Sequence, residues 1–383
     1  MHILFVTGEY PPQAGGVGAY TAELGQALWA QGVQVSVLTA QQSGAPPVAP
    51  LADISVYPIV PRWDWRIWRT IPTWAAKLAV DWVHVQYQTA AFAMHPAINL
   101  APGRWRHAKF RIAWTYHDLL VPYLFPKAGA RLRRWITERP AFTSNQTIVT
   151  NQGDYTALVG RVRNLANIPI GSNIEGRFFS PAARTQRRQQ RGYGDHELVI
   201  GYFGFLNRSK GGSTLVRTLH QLVQAGRNVH LLMIGERVGA SDPTNYQYLQ
   251  EIEALIASLG LSARVTWTGH QTDAEVSADL AACDVLLMPY VDGASLRRGT
   301  LMAALAHGCA LVTTAPQTPL PELLDQRDLL YVPAEDANAA AAAIAQVAEN
   351  AALAAMLRTN ARERSQLFTW PAIAEQHRKL YQS

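Results

Sequence analysis

Two hydrophobic patterns alternate along this chain. Short, nearly continuous apolar runs rich in β-branched residues predict buried strands. Between them, apolar residues recur every three or four positions, as at Val17, Tyr20, Leu24 and Leu28, and this spacing predicts amphipathic helices. The predicted strands cover residues 2–7, 33–39, 54–59, 82–86, 110–116 and 146–150 in the first half, and 198–204, 229–235, 264–269, 284–289, 310–314 and 329–332 in the second.

Strands that alternate with helices imply parallel sheets joined by right-handed crossovers, and here that pattern occurs twice. We therefore predict an α/β protein with two doubly wound, Rossmann-like domains facing each other across a ligand-binding cleft. The alanine-rich stretch 337–357 carries an apolar stripe and predicts a helix. The predicted organisation is a first Rossmann-like domain at 1–170, a linker without strong periodicity at 171–191, a second Rossmann-like domain at 192–365, and a C-terminal helix at 366–383 that packs back on the first domain.

Composition narrows the class of protein. With 48% hydrophobic and 16% charged residues among 383, wholesale disorder is excluded. Cys283 and Cys309 are the two cysteines, and their apolar surroundings favour a reducing compartment over a disulfide framework. Residues 1–7 lack a basic leader and predict a strand, not a signal peptide. No apolar run reaches the ~18 residues of a membrane span, so we expect a cytoplasmic protein.

A glycine-rich turn at residues 7–18 joins the first predicted strand to its helix. Gly15 and Gly16 let the backbone approach a ligand closely, and the helix N-terminus offers unpaired N–H groups to an anion. The turn predicts contact with a phosphate or an acceptor, and a purely structural turn is the alternative. A dinucleotide fold would require a carboxylate after the second strand, and residues 38–42 contain none.

His117 and Asp118 follow the predicted strand 110–116. A histidine at the carboxyl end of a strand can hydrogen-bond a hydroxyl group or position an acceptor, and Asp118 could fix its tautomer. In the alternative, His117 caps the next helix and Asp118 is solvated.

Two basic loops follow strands in the second half. Lys210 stands beside glycines before a helix, where the cation and the helix dipole together predict a diphosphate clamp. Arg297 and Arg298 precede the predicted helix 301–307 and suit a negatively charged leaving group. The alternatives are an exposed lysine and a solvated turn in which Asp292 pairs with an arginine.

In order and spacing these motifs resemble glycosyltransferase family 4, which has the GT-B fold. The segments 168–171, 304–308 and 368–374 add to the resemblance, which covers nearly the whole chain. We assign catalytic roles to His117, Asp118, Lys210, Arg297 and Arg298, and donor contacts to Gly15, Gly16, Asn207, Lys210, Ser295, Arg297, Arg298, Gly299 and Thr300.

The chain departs from the family pattern at three positions. Phe205 replaces an expected arginine, and Ser295 and Ala303 replace the two glutamates of the family's Glu-x7-Glu pair. In the family the second glutamate contacts the donor ribose. The cations at Arg297 and Arg298 compensate for the lost arginine, and fewer carboxylates repel a diphosphate less.

The resemblance implies transfer of a sugar from a nucleotide diphosphate donor to a hydroxyl of a glycan or lipid-linked acceptor, with retention of anomeric configuration. Cations and helix N-termini would stabilise the leaving diphosphate, and no Asp-x-Asp motif occurs. We therefore expect no metal or other cofactor. Two alternatives stay open: a non-catalytic nucleotide-sugar-binding or partner protein, and a nucleotide-sugar epimerase.

The net charge of +6 is concentrated in the first half. Residues 62–139 contain 13 basic and 4 acidic side chains. Arginines and tryptophans interleave at 62–69, 104–111 and 131–139, which suits an anionic membrane surface on its cytoplasmic side. The alternative is a solvated rim with half-buried tryptophans. No nucleic-acid-binding motif accompanies the charge, so we do not expect a nucleic-acid partner.

Overall fold

Parallel sheets organise both halves of the chain. The computed structural model describes residues 1–13, 15–41, 54–121, 129–172, 174–237 and 243–383. They divide into two units, Met1–Asn173 with Phe368–Ser383, and Ile174–Leu367. The prediction of an α/β protein with two parallel sheets is confirmed.

The first unit has a seven-stranded sheet in the order β3-β2-β1-β4-β5-β6-β7. Winding proceeds from β1 towards β2 and then from β4 towards β5, so the crossovers change direction between β1 and β4. The strands are β1 His2–Thr7, β2 Gln34–Ala40, β3 Ser55–Val60, β4 Trp82–Tyr87, β5 Arg111–Tyr116, β6 Gln146–Val149 and β7 Leu165–Asn167.

Helices cover both faces of this sheet. The helices within the first 173 residues are α1 Gly16–Ala30, α2 Ile67–Lys77, α3 Ala97–Trp105, α4 Ala130–Thr143 and α5 Gln152–Leu158. One core lies under α2 and α3 and includes Ile71, Ile98 and Trp114. The other core lies under α1, where Leu24 packs with Phe5 and with residues of the C-terminal segment.

The second unit repeats the arrangement with six parallel strands in the order β10-β9-β8-β11-β12-β13. The strands are β8 Leu198–Phe203, β9 Val229–Ile234, β10 Val265–Trp267, β11 Val285–Met288, β12 Leu311–Thr314 and β13 Leu330–Val332. The helices are α6 Pro181–Gln190, α7 Gly212–Gln224, α8 Pro243–Ser258, α9 Asp273–Ala282, α10 Gly299–Ala306, α11 Ala337–Glu349 and α12 Ala351–Ser365. The core of this unit is lined by residues of α7, α8 and α11 packed against the sheet.

The chain ends with α13, Trp370–Gln382, which belongs to the first unit. Ile373, Ala374 and Tyr381 of this helix are buried with the α1 side of the first sheet. No single helix of the described segments has the length and apolar composition of a membrane span; the pair 337–349 and 351–382 passes only together and is bent by 101°.

The expected linker at 171–191 is wrong in part, because its second half is helix α6. Ser180 caps this helix by accepting the N–H of Ala183, and Pro181 occupies its first turn. Arg187 of α6 and Arg191, its C-cap, donate to the fully buried carboxylate of Asp279 in α9, each with a 2.6 Å contact. Within the second unit α6 is held against α9 by charged side chains, so its sequence shows no apolar stripe.

The stretch 337–357 is helical as predicted, but it forms parts of two helices that meet at Asn350. The side chain of Asn350 accepts the N–H of Leu353 at 3.0 Å and so begins a new helix, α12. Both cysteines, Cys283 and Cys309, are buried and free.

Candidate active site

The second sheet has its change of winding between β8 and β11, which are neighbours. The loops that leave the carboxyl ends of these two strands run to opposite sides, and such a crevice is where doubly wound sheets bind ligands. The loop after β8 contains Lys210, and the loop after β11 contains Arg297 and Arg298. The predicted basic residues of the second half are therefore on the two loops that flank this point.

A tight turn brings Lys210 to the crevice. Residues Arg208–Lys210 form a single 3-10 turn, which Asn207 caps by accepting the N–H of Lys210 at 3.2 Å. Gly211 then adopts a left-handed conformation with φ of 71°, and a Cβ there would lie 1.8 Å from the carbonyl oxygen of Pro289. Only glycine allows α7 to start this close to the end of β11. Asn207, predicted as a donor contact, has a capping role here.

The ammonium group of Lys210 lies beside the backbone of Gly204, which has no side chain. A Cβ added to Gly204 would be 3.0 Å from Lys210 Nζ and 2.9 Å from Thr300 Cγ2, so Gly204, Lys210 and Thr300 meet at one corner. We call these three residues the Lys210 corner. Burial, reinforced by the Arg298 guanidinium, lowers the pKa of Lys210 from 10.5 to about 8.

Nothing in the described parts of the chain neutralises Lys210, because no hydrogen bond or ion pair reaches its Nζ from them. A desolvated, unpaired cation beside exposed backbone is suited to an anionic ligand. At neutral pH it remains mostly protonated, since its pKa is still above 7.

Arg297 and Arg298 are not free cations. Both donate to the carboxylate of Asp292, Arg297 at 3.3 Å and Arg298 in closer contact. Arg298 also lies over the ring of Tyr290, 4.3 Å from its centroid, and its side chain is 12% exposed. The pairing alternative is thus realised for both arginines, and the trio with Asp292 has a net charge of +1.

The start of α10 lies next to these arginines. Arg298 is its N-cap and gives no side-chain cap, so the first N–H groups, beginning with Gly299 and Thr300, have no such partner. The Thr300 hydroxyl lies 3.0 Å from the hydroxyl of Tyr290. Ser295, predicted as a donor contact, accepts the Arg297 N–H at 3.5 Å and shapes the loop. Ala303 is buried within the helix.

In the first unit, the carboxylate of Glu9 lies within the glycine-rich turn at residues 7–18. Glu9 Oε1 accepts the N–H groups of Val17 at 2.9 Å and Gly18 at 3.2 Å, at the start of α1. A Cβ on Gly15 would lie 2.2 Å from this carboxylate. The expectation that these N–H groups are unpaired is therefore wrong. Gly16 has open space around it.

The His117 ring is hydrogen-bonded to Gln86 and not to Asp118. The prediction that Asp118 fixes the tautomer of His117 is therefore wrong. The ring Nε2 lies 3.0 Å from Gln86 Oε1, and the ring meets Tyr20 edge-on with centroids 4.6 Å apart. Asp118 instead accepts the backbone N–H of Leu120 at 3.2 Å. Burial, with a smaller effect of His377, lowers the pKa of His117 to about 3, so the ring is neutral.

Sequence reasoning missed a buried polar network behind His117. His84 lies between Tyr381, at 2.5 Å from Nδ1, and Thr115, at 2.7 Å from Nε2. His377 of α13 lies 3.4 Å from the Tyr20 hydroxyl. The signal was present in β4, where His84 and Gln86 share one face of an otherwise apolar strand.

The tryptophans of the basic segments divide into two groups. Trp63 and Trp105 are buried, and the Nε1 groups of Trp68 and Trp105 donate to backbone carbonyls that tie α2 to α3. Trp65 and Trp135 are 48% and 50% exposed. Two of these five side chains are therefore more deeply buried than the half-buried alternative expected, and the other three are partly exposed.

Comparison with known proteins identifies the family. Residues 14–162 match the model described as Glycosyltransferase Family 4, and residues 197–350 match the model described as Glycosyl transferases group 1. The chain belongs to glycosyltransferase family 4. It is therefore a glycosyltransferase with the GT-B fold, as predicted.

Its relatives are distant. A GDP-mannose-dependent alpha-(1-6)-phosphatidylinositol monomannoside mannosyltransferase of Mycobacterium tuberculosis is 25% identical over 292 residues, 75% of this chain and 72% of that protein. A 2-deoxystreptamine glucosyltransferase of Streptomyces kanamyceticus is 33% identical over 128 residues, 32% of this chain and 31% of that protein.

Solved structures share the fold over the whole chain. A sucrose-phosphate synthase of Thermosynechococcus elongatus has a TM-score of 0.76 at 24% identity, covering 100% of this chain and 98% of its own. Anabaena HepE in complex with UDP and glucose has a TM-score of 0.74 at 19% identity, covering 99% and 98%.

Proposed function

We propose that this enzyme transfers a hexosyl group with retention and without a metal ion, and that its own cations stabilise the departing diphosphate. The single observation that carries this proposal is the unpaired, desolvated Lys210 beside Gly204 and Thr300. A cation that is held in place before the reaction needs little reorganisation when negative charge develops on the leaving group.

The arginine trio and the start of α10 supplement Lys210 in this proposal. Asp292 holds Arg297 and Arg298 in the loop before α10 and leaves one net positive charge there. The N–H groups that begin α10, at the positive end of its helix dipole, would face a bound phosphate. The departing phosphate oxygen would then accept the proton of the acceptor hydroxyl as the acceptor attacks from the same face.

His117 acts as a neutral hydrogen-bonding group in this mechanism. Its pKa of about 3 leaves it uncharged at neutral pH, so it is a poor source of a proton for the reaction. The ring nitrogen that does not contact Gln86 can form one hydrogen bond with a hydroxyl of the sugar or acceptor. It thereby positions that hydroxyl instead of deprotonating it.

The donor we propose is a nucleoside diphosphate hexose. One relative is named for its dependence on GDP-mannose, and one structural neighbour contains UDP and glucose. Both share the diphosphate that the Lys210 corner would bind. Ala303 supplies no carboxylate to the ribose, so recognition of the donor relies more on its diphosphate.

We propose that the acceptor lies on an anionic membrane surface, on its cytoplasmic side. Leu132, Trp135 and Phe142 lie on one face of α4 and are each about half exposed. Arg139 lies over the Trp135 ring and Arg161 over the Phe142 ring, which combines aromatic and basic groups as lipid head groups favour. The named relatives include an enzyme acting on a phosphatidylinositol mannoside. Nucleic acid is not a proposed partner.

The test of transfer is incubation of the protein with a panel of GDP- and UDP-hexoses, with and without acceptor lipid extract, in excess EDTA. We expect nucleotide release that requires acceptor and is unaffected by EDTA, and NMR of the product should show a retained anomeric centre. Loss of turnover in EDTA that added Mg²⁺ restores, or an inverted product, would contradict the proposal.

The membrane surface has its own test. Flotation with anionic vesicles should recover the protein, whereas neutral vesicles should not. Trp135→Ser should weaken recovery, and Trp29→Ser, on the opposite side of the first sheet, serves as the matched control. Equal recovery on both kinds of vesicle would remove the membrane from the proposal.

A further inference from the structure

Gln86 is buried at the carboxyl edge of the first sheet, directly beside His117. It is fully buried near the end of β4 and lies opposite Thr7 of β1 and Thr115 of β5. His117, the residue after β5, is fixed from its backbone side by an N–H bond to the carbonyl of Tyr87 at 2.9 Å. The side chain of Gln86 thus contacts the His117 ring at the carboxyl ends of the neighbouring strands β4 and β5.

The chemistry of an amide decides which ring nitrogen of His117 has the proton. Gln86 Oε1 is 3.0 Å from His117 Nε2, and a carbonyl oxygen can only accept, so Nε2 must donate. The neutral ring then has its lone pair on Nδ1. Because a neutral imidazole has one donor and one acceptor, this single bond determines the polarity of the whole ring.

The other end of the amide faces His84. Gln86 Nε2 is 3.4 Å from His84 Nε2, whose shorter contact is with the Thr115 hydroxyl at 2.7 Å, and the assigned amide orientation requires this nitrogen to be unprotonated. His84 can then donate from Nδ1 to the Tyr381 hydroxyl at 2.5 Å. Turning the amide over would require both histidines to change tautomer together. The amide therefore links the proton position on His117 to that on His84 and to α13.

We infer that Gln86 is a positioning residue for sugar transfer: it holds His117 as the Nε2–H tautomer and so presents the Nδ1 lone pair as the acceptor for a substrate hydroxyl. The inference rests on the proposed function in taking His117 to contact the substrate. Gln86 itself touches no substrate. Tyr20, packed edge-on against the ring, limits its rotation while the amide selects its proton position.

The test is the tautomer itself, read by long-range ¹H–¹⁵N correlation spectra of protein labelled with ¹⁵N-histidine. His117→Asn assigns the His117 signals by their disappearance. Wild-type His117 should show a protonated Nε2 and an unprotonated Nδ1. In Gln86→Leu we expect a mixture of tautomers and a fall in kcat/KM of about tenfold, the lower end for loss of an orienting partner.

Two further variants keep the test independent of folding. Gln86→Glu retains an acceptor, so His117 should keep its tautomer, but the added carboxylate should raise its pKa and produce a titration at mildly acidic pH. Gln146→Leu makes the same exchange at a buried position of β6, where the side-chain amide donates to the carbonyl of Thr147 at 3.5 Å and not to His117. It should leave both the His117 spectrum and kcat/KM unchanged.

An unchanged His117 tautomer in Gln86→Leu would overturn the inference. So would a changed tautomer with wild-type kcat/KM, because positioning would then have no consequence for transfer. Failure of the proposed function looks different: the wild-type enzyme would not transfer sugar, although the tautomer of His117 would still follow residue 86.

Discussion

The carboxylate of Glu9 accepts the backbone N–H of Val17 at 2.9 Å, so the first helix of the chain begins on an anion that the protein supplies itself. A negative charge at a helix N-terminus is stabilised by the unpaired N–H groups and by the helix dipole. The glycine turn is therefore arranged around Glu9, and an external phosphate would have to displace it.

This arrangement predicts the behaviour of Glu9→Ala. We expect a loss of about 1 kcal/mol of stability, the usual value of a helix-capping interaction. Because the variant exposes the same N–H groups, sulfate should raise its melting temperature more than that of wild type. Thermal unfolding with and without sulfate measures both effects, and Glu363→Ala, an exposed position of α12, is the control. Equal sulfate responses would show that Glu9 does not occupy an anion site.

A second prediction concerns the ion pairs of Asp292. Removing this charge in Asp292→Asn releases Arg297 and Arg298 from their carboxylate, so the leaving-group loop becomes more positive. We expect nucleoside diphosphates to bind about fivefold more tightly, corresponding to roughly 1 kcal/mol for a partly exposed pair. Isothermal titration with UDP and GDP measures this. The exposed Asp195→Asn should have no effect, and weaker binding to Asp292→Asn would mean that Asp292 orients the arginines more than it neutralises them.

Most strands could be predicted from the sequence because strands of a parallel sheet covered on both faces are almost continuously apolar. The predicted strand 2–7 coincides with β1, and all twelve predicted strands occur with small shifts at their ends. The missed strand, β7 Leu165–Asn167, is three half-buried residues at the sheet edge. It has neither the length nor the hydrophobic pattern that predicts a strand.

The polar contacts of the site could not be predicted in the same way. Residue types and the predicted strand ends placed Lys210 and His117 on loops at the carboxyl ends of strands, and the structure has them there. Doubly wound sheets bind ligands at these ends. The partner of His117, however, is Gln86 on another strand, 31 positions earlier. Sequence adjacency favoured Asp118, but the choice depends on strand register and on side-chain direction, which only the folded sheet determines.

Backbone geometry at Gly211 gives a third prediction. Gly211→Ala adds a Cβ that would lie 1.8 Å from a backbone carbonyl oxygen, in addition to the strain of a positive φ. Gly226→Ala is the matched control, since Gly226 also has a positive φ but nothing within 4 Å of its Cβ. We expect about 1 kcal/mol of destabilisation for Gly226→Ala and about 3 kcal/mol or more for Gly211→Ala. Urea unfolding curves of equal midpoint for the two variants would contradict this packing.

A fourth prediction concerns acid stability. Burial lowers the pKa of His377 from 6.5 to about 4, and those of His84 and His117 are also lowered, with Tyr20 and Tyr381 packed nearby. The folded state then binds fewer protons than the unfolded state, so stability is present above pH 6.5 and falls as pH decreases towards the folded pKa values. Each group contributes at most about 1.4 kcal/mol per pH unit.

His377→Asn should remove one such contribution and flatten the dependence of unfolding free energy on pH between 6.5 and 5. The change in slope is diagnostic, because a loss of packing alone lowers stability equally at every pH. His107→Asn alters an exposed histidine and should leave the slope unchanged. A wild-type slope in His377→Asn would show that His377 is not held neutral by burial.

The most direct test of the account is the dissociation constant of UDP and GDP for wild type and Lys210→Ala, measured by isothermal titration in excess EDTA. Lysine bonds to phosphate oxygens are charge-assisted, so their loss should weaken binding about ten- to hundredfold. The surface variant Lys379→Ala should bind as wild type does. The account predicts metal-free binding that depends on Lys210; equal affinity in Lys210→Ala, or binding only when Mg²⁺ is added, would contradict it.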